Sequence, residues 1–198
     1  MTRIIGVTGG IGSGKSTLTQ QFERHGFLTV DADAISRTAL TPDAACFKNA
    51  IALFGPDALN EDGTANRRYI ASRVFKDETL REALNAIIHP YVICEMIRIT
   101  EESEKPLAVW DVPLLFETGM DAFCACTVAV LCSTELRVKR VIVRDDSDEA
   151  AVRERIAAQM SDETRAALAT YTIRNEDTPE AFAAQADELI EHIRKELL

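Results

Sequence analysis

The stretch Thr8-Gly9-Gly10-Ile11-Gly12-Ser13-Gly14-Lys15-Ser16-Thr17 constrains this chain more than any other. From Gly9 to Ser16 it matches a glycine, four free positions, then Gly-Lys-Ser. The apolar run Ile4-Ile5-Gly6-Val7 leads in, and a helical pattern carrying Leu18 and Phe22 leads out. That order of strand, glycine loop and helix is the context the pattern demands. Glycines let backbone N–H groups turn inward and approach phosphate oxygens closely. The helix beginning near Lys15 directs the positive end of its dipole at an anion. Lys15 can then reach the β- and γ-phosphates of a nucleotide, and the Ser16 hydroxyl can sit on Mg²⁺. A chance Gly/Ser-rich turn is the competing account, and the agreement of loop, strand and helix leaves it little room.

At 198 residues and 46% hydrophobic composition, the chain suits one compact domain with a modest insertion. Its longest apolar runs are far too short to cross a membrane, and the N-terminus has no signal-peptide core. Lys and Arg number 22 against 32 Asp and Glu, a net charge of −10. That balance argues against a nucleic-acid or anionic-membrane partner, which needs a basic face. It leaves room for a nucleotide, because a few arginines make a local positive site. Cys46, Cys94, Cys124, Cys126 and Cys132 are odd in number and follow no disulfide framework. Cys124-Ala125-Cys126 lacks the second pair or nearby His that a zinc site needs. Reduced thiols in a cytoplasmic protein are therefore expected.

After the first helix, stopped by Gly26, Phe27–Val30 reads as a second strand running into Asp31-Ala32-Asp33. Ligands of open α/β sheets sit beyond the carboxyl ends of the strands. A carboxylate there can accept a proton from an attacking hydroxyl or help hold Mg²⁺. The plain alternative is that Asp33 caps the next helix; beside a glycine loop, the functional account is preferred. Arg37 follows one helical turn later, facing the same ligand or pairing with Asp33. Residues 34–104 then read as helical throughout: 44–54, 67–75, 78–88 and 90–102, with a turn at Asn60–Gly63. His89-Pro90 marks a junction, where spacing alone makes the histidine structural.

Leu107-Ala108-Val109-Trp110 is a third strand ending at Asp111, as a buried strand with a metal-facing carboxylate would. Leu114, Leu115 and Phe116 are either core or the lining for an apolar ligand arm. Thr127–Cys132 is a fourth strand, and Ser133 or Thr134 can cap the helix that follows. On that helix Arg137, Arg140 and Arg144 share one face. An arginine row serves phosphoryl transfer, whose transition state spreads negative charge over oxygens. The alternative is a solvated face paired to Asp145, Asp146 and Asp148. A second helix spans about 148–160, and Arg165 opens another short helical piece. Thr170–Ile173 is a short fifth strand, after which Asn175 can bond a nucleotide base. Residues 179–198 form an amphipathic helix with Phe182, Ala186, Leu189, Ile193 and Leu197 on its apolar face.

Taken together, these motifs resemble those of the dephospho-coenzyme A kinase family over almost the whole chain. The resemblance rests on Thr8–Thr17, Asp31-Ala32-Asp33 with Arg37, Asp62-Gly63 with Arg67, and His89-Pro90. It continues through Asp111-Val112-Pro113-Leu114-Leu115-Phe116-Glu117, Arg144-Asp145, Gln159 and Asn175. One departure is that family members often have Gly soon after the Asn, whereas here Glu176-Asp177 follows. The resemblance implies an α/β P-loop NTPase three-layer fold: a five-stranded parallel sheet flanked by helices, a helical substrate-binding insertion and a helical lid. The implied core is 1–33, 105–134 and 168–198, the coenzyme A-binding insertion 34–104, and the lid 135–167. The implied reaction moves the γ-phosphoryl of MgATP to the ribose 3′-hydroxyl of dephospho-CoA, the last step of coenzyme A biosynthesis. Gly10, Ile11, Gly12, Ser13, Gly14, Lys15, Ser16 and Thr17, with Arg144 and Asn175, would hold ATP, and Ser16 would also hold Mg²⁺. Lys15, Asp33 and Arg140 would be catalytic, with Asp33 as base or orienter. Thr8, Asp31, Asp33, Arg37, His89, Asp111, Leu114, Leu115 and Phe116 would face the acceptor. No obligate protein partner is implied.

Three alternatives carry distinct signatures. A nucleoside or nucleoside-monophosphate kinase shares the core and lid logic, but the large helical insertion and the Asp-Val-Pro-Leu-Leu-Phe run weigh against it. A GTP-dependent switch would carry Asn-Lys-x-Asp after a late strand, and Asn175 is followed by Glu176. A non-catalytic nucleotide-binding module is disfavoured by the intact Lys15, Ser16 and Asp33.

Overall fold

A computed structural model describes residues 2–198. The N-terminal apolar run forms β1 (Arg3–Gly9), buried from Ile5 onward. Strands covered on both faces read as continuous apolar runs, and β3 (Leu107–Asp111) and β4 (Cys126–Leu131) are buried throughout. Both lie parallel to β1, which places Val7 opposite Asp111 on one side and Val128 on the other. β2 (Leu28–Asp31) and β5 (Tyr171–Arg174) are short and complete a sheet ordered β2-β3-β1-β4-β5. The glycine loop therefore leaves the end of the central strand.

The chain forms two compact units. One comprises residues up to Val30 together with Thr100–Leu198. Its main core packs α1 (Lys15–Arg24) and α9 (Pro179–Leu197) on one face of the sheet. Leu18, Phe22, Phe182, Ile190 and Ile193 there meet Ile5, Val7, Val109, Val128 and Val130. α6 (Thr134–Asp145), α7 (Glu149–Ala157) and α8 (Asp162–Leu168) follow β4. Val138 and Val141 of α6 join Val152 of α7 in a small core against which Ile11 of the loop packs.

The other unit is Asp31–Ile99. It holds α2 (Ala32–Thr38), α3 (Phe47–Phe54), α4 (Arg67–Lys76) and most of α5 (Glu78–Glu102). Phe47, Ala50, Ile51, Ala58, Ala65, Ile70 and Leu84 give it its own core. Its one strand-like feature among the described residues is the isolated bridge Leu59↔Ala65. Two helices meeting at His89-Pro90 are expected from the sequence, yet α5 is one helix of 25 residues with Pro90 inside it. Proline removes one backbone donor and crowds the preceding turn. Burial of Leu84, Val92 and Met96 on either side supports the helix through that point.

No helix among the described residues is long and apolar enough to cross a membrane. All five cysteines are free; Cys46, Cys126 and Cys132 are buried and Cys94 is exposed.

Candidate active site

The loop closes its own turn before the helix begins. The Ser13 N–H donates to the Gly10 carbonyl at 3.0 Å. Gly12 (φ 76°) and Gly14 (φ 95°) take left-handed conformations that side chains with a Cβ resist. Gly14 is the N-cap of α1 and no side chain caps that end. The N–H groups of Gly12, Gly14 and Ser16 make no hydrogen bond among the described residues. An open helix N-terminus with such donors is an anion seat. Ser16 and Thr17 are exposed at its first turn. Ser13 is fully buried and its hydroxyl has no hydrogen-bond partner among the described residues.

Lys15 forms an ion pair with Asp111, the buried last residue of β3. The register that sets Asp111 beside Val7 puts this carboxylate next to the root of the loop. The Thr8 hydroxyl, also buried, donates to the Pro113 carbonyl at 3.0 Å, so it anchors the segment after β3. Of the apolar trio there, Leu115 is fully buried against Gly6 and belongs to the core, which corrects its assignment to the acceptor. Leu114 is exposed and Phe116 half-buried.

The arginine row divides by burial. Arg137 is buried: its Nε donates to the Ile11 carbonyl at 2.9 Å and its Nη2 to Gln159 Oε1 at 2.9 Å. Arg140 is half-buried and reaches three uncharged acceptors: Gly12 O (3.5 Å), Cys132 Sγ (3.3 Å) and Asn175 Oδ1 (3.3 Å). It makes no ion pair among the described residues. Arg144 is exposed and paired with Asp145 at 2.6 Å. That hydrogen bond raises the arginine's pKa and lowers the aspartate's. The solvated-face account thus holds for Arg144 in this conformation, whereas Arg140 is a cation without a counter-charge beside the phosphate seat.

Two backbone and base assignments change. The Ile11 N–H, expected among the phosphate donors, is engaged by Gln159 Oε1 at 2.9 Å. Asn175 is buried, and its Nδ2 donates to the Ser13 carbonyl at 2.8 Å while its Oδ1 accepts from Arg140. Its side chain braces the loop instead of standing free for a base. The Ser133 side chain makes no cap bond; its N–H instead donates to Glu176 Oε1 at 3.2 Å. Gln159 and Glu176 carry no signal of these roles in local pattern, because each acts across more than twenty residues of sequence.

In the helical unit, Asp31 is the N-cap of α2, and its Oδ1 accepts from the N–H groups of Asp33 (2.8 Å) and Ala34 (3.1 Å). The capping alternative weighed for Asp33 therefore belongs to Asp31. The Asp33 carboxylate is exposed in the first turn and makes no side-chain hydrogen bond or ion pair among the described residues. Arg37 is exposed and not paired with Asp33; its carbonyl accepts from Arg67 Nη2 at 2.8 Å. His89 is exposed near the middle of α5.

A family model described as dephospho-CoA kinase matches residues 3–180. The dephospho-CoA kinase of Corynebacterium efficiens is 40% identical over 192 residues, covering 96% of each chain. The solved structure of TT1252 from Thermus thermophilus superposes with a TM-score of 0.83 at 32% identity, covering 100% of this chain and 98% of that one. A dephospho-CoA kinase from Campylobacter jejuni matches the fold with a TM-score of 0.74 at 24% identity, covering 100% of both chains. The α/β P-loop kinase fold with its five-stranded sheet is thus the fold of this protein, and the chain belongs to the dephospho-CoA kinase family.

Proposed function

We infer that the protein transfers the γ-phosphoryl group of ATP to the ribose 3′-hydroxyl of dephospho-CoA. The observation that carries the inference is the uncapped, glycine-rich N-terminus of α1, with Lys15 at its first position and Arg140 beside it lacking any carboxylate partner. Such a seat supplies amide donors and two cations to a triphosphate. Phosphoryl transfer asks the protein mainly for positioning and for charge at the equatorial oxygens. Lys15 exchanges Asp111 for the β- and γ-phosphates as the nucleotide enters. Arg140, held only by neutral acceptors, neutralises charge that grows in the transition state. Asp33, with its carboxylate unengaged, orients the acceptor hydroxyl or takes its proton.

No group of three or more His, Cys, Asp or Glu side chains among the described residues forms a metal site. Mg²⁺ is commonly held by substrate phosphates plus one or two protein oxygens, so the protein need supply only a small donor set. The exposed Ser16 hydroxyl, with Asp111 next to Lys15, would be the donor set for it. When bound, Mg²⁺ would neutralise phosphate charge. A cytoplasmic setting accords with five free thiols.

The test is an acceptor panel: MgATP with dephospho-CoA, shikimate, nucleosides and nucleoside monophosphates, following ADP and the position of the new phosphate. ADP formation dependent on dephospho-CoA, with phosphate on the 3′-oxygen, is expected. Faster turnover of another acceptor would overturn the assignment.

A further inference from the structure

We propose that Arg137 is a positioning residue for phosphoryl transfer: together with Gln159 and Asp162 it forms a buried strut that fixes the Gly10–Gly12 turn of the phosphate loop from behind. The inference deepens the nucleotide-site reading above and rests on it.

The strut starts at one residue. Ile11 presents its N–H to Gln159 Oε1 and its carbonyl to Arg137 Nε, both at 2.9 Å. Arg137 Nη2 closes the ring on the same Gln159 oxygen at 2.9 Å. Ile11 is thereby held on both sides, its N–H in the peptide from Gly10 and its carbonyl in the peptide to Gly12. Rotation of the second peptide, whose carbonyl Arg137 holds, would turn the Gly12 N–H, one of the open amide donors. The approach is close: a Cβ built on Gly10 would lie 2.2 Å from Arg137 Nη2, and one on Gly12 2.8 Å from the Arg137 carbonyl oxygen. Glycine at these positions thus leaves room for the strut as well as for phosphate.

Asp162 anchors the far end. Its Oδ1 accepts from Arg137 Nη1 (3.4 Å) and Arg165 Nη1 (3.0 Å), and its Oδ2 from the Cys132 N–H (3.0 Å). One carboxylate therefore joins the end of β4, α6 and α8. Arg137 is 4% exposed and Arg165 1%. Two buried guanidiniums share one carboxylate, so one positive charge is uncompensated within the cluster, and it lies behind the loop. Burial pulls the pKa of Arg137 down, but a guanidinium stays charged. Arg137 is buried and acts through Ile11 and its neighbours, so the arginine face of α6 has two jobs: Arg140 serves the ligand and Arg137 serves the loop.

Arg165 provides the control, because it shares Asp162 and deep burial but, among the described residues, makes no hydrogen bond to the loop. Arg137→Met, Arg165→Met, Gln159→Leu and Arg137→Met/Gln159→Leu proteins are compared by thermal melting, by binding of a fluorescent ADP analogue, and by kcat and KM for ATP. Arg137→Met and Gln159→Leu should each weaken ADP-analogue binding about tenfold and lower kcat about ten- to a hundredfold, since displacements near 1 Å cost about that much. The double variant should lose little more than the worse single one, because both side chains hold Ile11 and bond each other. Arg165→Met should lower the melting temperature with nucleotide binding within about twofold of wild type. Gln159 is half-buried, so Gln159→Leu keeps the test open if an arginine variant does not fold. The strut is overturned if variants that melt lower still bind and turn over normally, or if the two losses simply add. A wild-type protein that does not bind the ADP analogue would instead sink the nucleotide-site reading itself.

Discussion

At the scale of single residues, Asp31 and Asp33 show what spacing can and cannot reveal. Two carboxylates after a strand are visible in the sequence, but which of them caps the helix depends on where the chain turns. It turns at Asp31, whose Oδ1 takes two amides of α2, and Asp33 is left with its carboxylate outward. Asn caps about as well as Asp, so Asp31→Asn should change stability and turnover little. Asp33→Asn should leave the melting curve unchanged and lower kcat about 10²–10⁴-fold, the usual contribution of a positioned base. Paired melting and steady-state assays decide it, and a larger loss for Asp31→Asn would reverse the roles. Lys15, Ser16 and the glycines are legible because their motif is local. Asn175 and Arg137 stand out in the sequence, but their bracing roles do not, since nothing nearby in sequence tells that each folds onto a loop more than a hundred residues away.

At the scale of elements, periodicity serves well where one face is buried and poorly where packing overrides a local signal. The expected strands and helices appear within a residue or two around β1, β4 and α9. Pro90 is read as a break and is instead inside α5, because apolar residues before and after it are buried. The i, i+3, i+7 arginines do share a face, but the face slopes from the loop to solvent, and burial falls from Arg137 to Arg144. α9 offers a direct test of local capping. Thr178 Oγ1 accepts from the Ala181 N–H at 3.2 Å, and the helix buries Phe182, Ala186, Ile190 and Ile193. Thr178→Ala should cost about 1 kcal/mol, read as a melting shift of roughly 2–4 °C, with kinetics unaltered. An unchanged melting temperature would mean that packing alone sets the start of this helix.

For the whole molecule, the thiols report each unit separately. Cys46 lies in the helical unit and Cys124, Cys126 and Cys132 in the sheet unit. Burial pushes Cys124 and Cys126 up to about 12, so at pH 8 only about one part in ten thousand of each is thiolate. A chromogenic disulfide reagent should therefore find one fast thiol, Cys94, a slow half-buried one, Cys124, and three buried ones that wait for opening. MgATP at roughly a hundred times its Kd should slow Cys126 and Cys132 up to about a hundredfold and leave Cys46 unchanged. Equal slowing of Cys46 would show that the units open together.

The order in which a ribosome delivers these parts follows from the same division. Residues 31–99 are contiguous, so the helical unit can close its core as soon as it emerges. The sheet cannot: β1 is central and is made first, but its partners β3 and β4 arrive only after residue 107. The brace between Asn175 and Ser13 spans 162 residues. Contacts of such long range form slowly, and domains emerging from synthesis fold as units. The phosphate loop, translated ahead of the rest of the sheet, is thus among the later parts of this fold to take its working shape, and a nascent chain gains a competent phosphate seat only when β5 and Asn175 are out.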